Sequence, residues 1–215
     1  MKHSTIKKIF DADVGAIGIG TLIIFIAMVL IAGIAASVLI QTSSSLEMQV
    51  LRTGSQTTHA VASGILIEGI EGYNSSGGIV RMAVEIKPRA GSPDIDLRNT
   101  VIEISDSNIK YVLEYDESTF TKLNETTGDV FTSGFYPADA TSFHVIVLQD
   151  ADGSVTAENP TINFGDHVIL AIGDVFSGIA PRTRVFGQVI PEEGSPGIIG
   201  FMTPDSYTNA VMDLQ

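Results

Sequence analysis

The feature that most constrains this chain is an uncharged span from Val14 to Leu46, within which Ala16–Ile40 is almost wholly apolar. The run reads AIGIGTLIIFIAMVLIAGIAASVLI, broken only by small residues, Thr21 and Ser37. About 20 apolar residues cross the hydrocarbon core of a bilayer as a helix, so this segment enters a membrane at some stage. Three fates then lie open to it. It stays as an anchor, it is cut away, or it leaves lipid by packing against copies of itself.

A basic start, Lys2, Lys7 and Lys8, precedes the run, as in segments handed to export machinery. An ordinary secretory signal has an apolar core of roughly 7–15 residues with a small-residue cleavage site behind it. This run is longer, although Ala32-Gly33-Ile34-Ala35-Ala36-Ser37 has the character of such a site; the other place to cut lies ahead of the run, at Val14-Gly15-Ala16. Helical spacing continues beyond Ile40 through Leu46, Val50, Thr57, Val61 and Ile65, with no proline before Pro88. A helix from Ala16 to about Ile67 is on the order of 78 Å long, more than a bilayer needs and more than one small domain can cover. Small residues four apart, Ala32 with Ala36 and Gly33 with Ser37, let helix backbones approach closely in an apolar setting.

From Ile79 the period changes to two: Val80, Met82, Val84 and Ile86 alternate with Arg81, Glu85 and Lys87 up to Pro88. Further strands are expected at 100–104, 110–115, 143–148, 167–172, 183–190 and near 198–202, separated by segments rich in Gly, Pro, Asp, Asn and Ser. Short strands without intervening helices indicate an antiparallel sandwich or barrel, so the expected class is α+β: a long N-terminal hydrophobic helix followed by an all-β head.

The formal net charge is −13, and since the first 15 residues carry three lysines and two aspartates, −14 falls on the rest. Such a surface repels nucleic acid and anionic lipid. With no cysteine there is no disulfide framework and no thiolate metal site. His3, His59, His144 and His167 are scattered and form no catalytic constellation, so no enzyme activity and no cofactor are expected. Gly18-Ile19-Gly20 lacks the third glycine and the preceding strand of a dinucleotide loop. Asp150-Ala151-Asp152-Gly153-Ser154 spaces oxygen ligands as hard cations prefer, but an Asp-Gly pair between strands is also a hairpin turn. The turn is the expected reading, with Asp150 and Asp152 the candidate ligands should a cation bind. Asn74-Ser75-Ser76 and Asn124-Glu125-Thr126 match the acceptor pattern for Asn-linked glycans, and both fall in turn-like segments.

The stretch from Gly15 to Leu30, GAIGIGTLIIFIAMVL, strongly resembles the processing site and N-terminal helix of archaeal flagellins (archaellins), relatives of the type IV pilins. The similarity continues through Ala35–Ser43 and returns at Asp94-Ile95-Asp96-Leu97 and at Val189–Pro196. The resemblance implies that residues 1–15 are a leader, that a prepilin-type peptidase cuts between Gly15 and Ala16, and that residues 16–70 form a filament-core helix. Leu22, Phe25, Ile26, Val29, Leu30, Gly33 and Ala36 would pack that core. Residues 71–215 would form an outer immunoglobulin-like sandwich, usually glycosylated, here at Asn74 and Asn124. The implied partners are identical subunits in a homopolymer, the peptidase, and the archaellum motor and assembly machinery. The implied location is an extracellular cell-surface filament, with membrane insertion as a precursor. Asp11-Ala12-Asp13-Val14 stand where such leaders carry a basic residue, and Gly20 replaces the glutamate of bacterial pilins. The latter favours the archaeal motility branch over an adhesion pilus. The alternatives are an archaeal adhesion pilus, a membrane-anchored extracellular β-sandwich binding module, or a secreted enzyme trimmed of its first forty or so residues.

Overall fold

The computed structural model describes residues 3–123 and 129–215, with side chains from Ile17 onward except those of Thr119 and Ser133. The chain divides into two compact units, one ending at Ser55 and the other spanning Gln56–Gln215. A single helix, α1 (His3–Ala62), supplies the first unit and the opening residues of the second.

The helix stops eight residues short of the expected position 70. Ser63 N–H makes the last helical bond, to His59 O at 2.7 Å, after which the backbone is captured by the β domain. Ser195 N–H donates to Ser63 O at 2.9 Å and Ile65 N–H to Ser195 O at 3.2 Å. Residues 65–70, which continue the helical spacing in sequence, instead open strand β1 (Ile65–Ser75), paired along its length with β2 (Gly78–Pro88). Isoleucines at 65, 67 and 70 suit a pleated strand better than a helix interior, Gly69 weakens a helix and sits at a bulge in the β1–β2 register, and eleven residues of partner strand decide the matter. Between β1 and β2, Ser76 and Gly77 hold φ of 58° and 89°, the two positive values of a tight hairpin turn.

Ten further strands follow: β3 (Ile95–Asp96), β4 (Val101–Ser105), β5 (Lys110–Tyr115), β6 (Thr121–Lys122), β7 (Ser142–Gln149), β8 (Thr161–Ile162), β9 (His167–Ile172), β10 (Arg184–Ile190), β11 (Gly197–Met202) and β12 (Val211–Asp213). Nine of the twelve strands run in the order β11-β10-β4-β5-β7-β9-β2-β1-β12, β6 joins β7, and β3 pairs β8 separately. Neighbours are antiparallel except at β7, which meets both β5 and β6 in parallel. The β5–β7 contact, Glu114 to Ser142 and Tyr115 to Phe143, is a short seam between two arms. Inward residues of both arms share one core: Ile102, Leu113 and Val189 from one, Val84, Phe143 and Leu170 from the other. The arms thus form the two leaves of a sandwich.

A second cluster lies on the outer face of β2, β7 and β9, where Phe131 and Tyr136 cover Ala83, Ile146, Ile169 and Ala171. Being covered on both faces, β9 (HVILAI) reads as a continuous apolar run rather than an alternating one. Arg81 locks this cover in place, its guanidinium 5.1 Å from the Tyr73 ring centre and donating to Phe131 O at 2.7 Å.

Candidate functional site

Two regions answer to the functional expectations: the apolar helix and the loops of the head. Along the helix Leu22, Phe25, Ile26, Val29 and Leu30 are exposed, as are Gly33 and Ala36. At 3.6 residues per turn these seven share one face. The opposite side is no more polar, because Ile24, Met28 and Ile31 are exposed too, Ile31 by 67%. An apolar helix exposed around its whole circumference is one built to be buried by something outside its own fold. Two threonines, Thr21 in the run and Thr42 just past it, are already satisfied within the helix: Thr21 Oγ1 donates to Gly18 O at 2.9 Å and Thr42 Oγ1 to Val38 O at 2.7 Å. That arrangement lets a threonine enter a dry environment without an unpaired donor. A Cβ built on Gly18, Gly20 or Gly33 meets nothing within 4 Å, so these glycines leave room for a neighbouring backbone. Gly15 and Ala16 lie within the helical span.

In the second unit, Ser63 and Gly64, just past the end of the helix, are gripped by the segment carrying the Val189–Pro196 motif. Ser63 Oγ donates to Glu193 O at 3.0 Å, and Arg89 N–H donates to Gly64 O at 2.9 Å. A Cβ on Gly194, whose φ is +101°, would come within 2.4 Å of Ser63 backbone atoms. Only glycine fits there. The Asp94–Leu97 motif braces the same region: Asp96 Oδ1 caps Arg98 N–H, Leu97 is fully buried, and Asn99 Nδ2 donates to Glu192 Oε2 at 2.9 Å.

The Asp150–Ser154 segment is the tight turn expected of it. Asp150 Oδ1 accepts from Gly153 N–H at 2.7 Å, Asp152 Oδ1 from Ser154 N–H at 2.9 Å, and Gly153 has φ +80°. The sequence reading missed Asp166, a buried carboxylate joining the pair from fourteen residues on, so that the three groups bring oxygens within 4.8 Å of one another. No local spacing could reveal it, because the loop between β8 and β9 brings it in. Asp166 accepts from Ala151 N–H and Asn163 N–H, both at 2.9 Å, stapling the two loops together. Lys122 Nζ sits 2.9 Å from Asp150 Oδ2, and Asn163 Nδ2 donates to Asp152 Oδ2 at 2.8 Å. At Asp150 burial pushes the pKa up, but the Lys122 and Gly153 hydrogen bonds outweigh it and leave the group below its ordinary value. At Asp152 the Asn163 amide, then Ser154, hold the pKa down. Three carboxyl groups so placed are a set of oxygens that a hard divalent cation can share.

Asn74, expected in a turn-like segment, is instead the next-to-last residue of β1, paired with Ile79 ahead of the hairpin turn, half-buried, its N–H donating to Ala210 O at 2.7 Å. Its side-chain oxygen is buried without a hydrogen-bond partner among the described residues. Asn124 lies outside the described residues.

Compared with known families, the chain matches the one described as archaeal-type flagellin over residues 15–201. The chain belongs to the archaeal-type flagellins. It is 46% identical to Flagellin B3 of Methanocaldococcus jannaschii over 208 residues, covering 94% of this chain and 95% of that one. It is 43% identical to Flagellin B1 of Methanococcus voltae, covering 98% and 99%. Among solved structures, archaeal flagellin FlaB1 from M. jannaschii superposes with a TM-score of 0.64 at 38% identity, covering 72% of this chain and 98% of that one. The archaeal flagellum of Methanospirillum hungatei shares the fold, with a TM-score of 0.61 at 15% identity over 91% and 98% of the chains. This flagellin is a structural subunit of the archaellum, and its long apolar helix followed by a β domain is the family's α+β architecture.

Proposed function

We propose that the flagellin is made as a membrane-inserted precursor, cut between Gly15 and Ala16 by a prepilin-type peptidase, and then polymerised through the freed helix into an extracellular filament. Residues 1–15 serve as leader and 16–62 as the core rod. The sandwich head, beginning at Ile65, faces outward and carries an N-glycan at Asn74. The observation that carries this reading is the charge-free stretch of α1 ahead of Glu47, whose large apolar side chains from Ile17 to Ile40 are exposed on every side. Fully burying one Leu, Ile or Phe side chain contributes about 1.5–3 kcal/mol relative to water, so a dozen such residues strongly disfavour a free monomer. Moving from lipid to a helix bundle changes the apolar surroundings little, and close packing through small residues then decides the balance. The family match beginning at residue 15 supports the cut site.

The test is to sequence the N-terminus of subunits in sheared surface filaments. Ala16 as first residue is expected, whereas an intact Met1 would sink the processing step. Gly15→Leu should hold the precursor in the membrane fraction and abolish filaments.

A further inference from the structure

The head carries two unmatched apolar features on opposite arms of the sandwich. One is a knob: Phe164, in the turn between β8 and β9, is 87% exposed, the highest value of any large apolar side chain described. Its turn packs on the Asp150–Ser154 loop through Asn163 and Asp166, so the exposed carboxylate of Asp152 stands beside it. The other is a groove on the outer face of β10 and β11. In the ladder Phe186 lies opposite Gly200, and Ile198 and Met202 project from β11 on either side of that glycine. Phe186, Ile198 and Met202 are all about half or more exposed, and a Cβ on Gly200 would meet nothing within 4 Å. The bare glycine makes a trough beside an aromatic ring, part of a hollow of about 590 Å³ that Arg184 also lines. Arg184 is exposed and has no carboxylate partner among the described residues.

We propose that these are two halves of one contact: Phe164 of one subunit seats over Gly200 against Phe186 of a second copy, with Asp152 of the first beside Arg184 of the second. The inference rests on the filament reading above and deepens it by adding a head-to-head joint to the helix-mediated core. Three considerations fix the occupant as another copy of this chain. The knob and the groove share no residue and lie on different arms, so the joint is heterologous. A heterologous contact propagates as an open helical polymer instead of closing into a dimer. Each head carries the full −14, since Glu47 and Arg52 cancel in the rod, so heads repel one another, and approach requires a spot where acid meets base; the knob brings the acid and the groove the base. An aromatic side chain in a shallow apolar seat is the kind of residue that carries most of an interface's energy, and ring-on-ring packing adds to its burial.

The absence of cysteine from the chain makes the test direct. Filaments are assembled from a Phe164→Cys/Ile198→Cys double variant and from each single variant, sheared off, treated with a short thiol cross-linker and run on a denaturing gel. The double variant should give a ladder of dimers, trimers and higher species, and the single variants should stay monomeric because the joint pairs unlike positions. Filaments of the double variant that remain monomeric overturn the joint while leaving the filament reading intact. Failure of the unmodified protein to form filaments sinks the filament reading itself. Should the double variant not assemble, Gly200→Leu decides: it fills the trough without disturbing the fold, so filament yield should collapse while processed, protease-resistant subunit accumulates in the membrane. Unchanged filament yield from Gly200→Leu overturns the joint.

Discussion

The helix and the head solve opposite problems. The head brings its apolar residues together by itself: Phe143, Leu113, Ile102 and Leu170 are fully buried within one molecule, and its short polar loops are tied by side-chain caps. The helix brings nothing together by itself, exposing Phe25, Ile31 and Leu39 by more than 60%. One region is stabilised by contacts within its own chain and the other only by company. This difference makes the chain a subunit, because the part that cannot be satisfied alone, Ala16–Ile40, is long, apolar and free of charge.

The comparison can be broken most severely by separating the two. A chain beginning at Ser63 should be a soluble, folded monomer with a cooperative thermal transition, and aggregation or lack of a transition would show that the head depends on the rod. Next in size is Ile26→Lys, which places a charge in a dry bundle, where an unpaired ion is disfavoured by several kcal/mol. Filaments should vanish while the head's melting temperature stays unchanged. The reverse experiment is Leu113→Ala, expected to destabilise the head by about 2–5 kcal/mol. Leu22→Ala should leave the head's denaturation midpoint where it was and weaken only the filament.

Smaller again is Asp166→Ala, which strands the Ala151 and Asn163 N–H groups. A loss of about 1–3 kcal/mol in head stability by chemical denaturation is expected. The smallest effect concerns protons. Ser142 and Thr141 hydroxyls hold the Asp139 pKa below its ordinary value, and the Ser118 N–H does the same for Asp116. A carboxyl with a lowered folded pKa stabilises above its unfolded pKa and loses that contribution as pH falls through the folded one. Acid should therefore lower the head's melting temperature through these groups, and Asp139→Asn should flatten the trend. Glu71 runs the other way, its pKa raised first by burial and then by Glu85 and Asp213. Its favourable contribution is present at acid pH and fades as pH rises through the raised value, so Glu71→Gln should slightly raise the melting temperature at neutral pH.

What the sequence disclosed follows the range of the interactions involved. The rod and the strands at 110–115 and 167–172 were legible because hydrophobic period is local, and both strands have the expected bounds. The end of the helix was not: Ile65 fits the helical spacing, and only its pairing with Pro88 and the Ser195 contact make it a strand. The parallel seam at β5 and β7 was equally invisible, since no periodicity distinguishes which edges meet. Of the loop carboxylates, Asp150 and Asp152 could be singled out by spacing, whereas Asp166 needed the fold to bring it in. The Val189–Pro196 and Asp94–Leu97 motifs carried the family resemblance, but their physical reason, holding Ser63 and its neighbours, emerges only from the contacts.

The sheet's terminal strands carry one further consequence. Beside β11, at one end of the strand order, the Gln215 side chain accepts from Gly200 N–H at 2.8 Å and donates to Ile198 O at 3.3 Å, occupying ladder groups that would otherwise stay open. Unsealed strand margins recruit strands from other molecules without regard to register or symmetry. A filament subunit that must polymerise in one prescribed manner is endangered by any rival route to fibres, and the Gln215 amide stands guard on that flank.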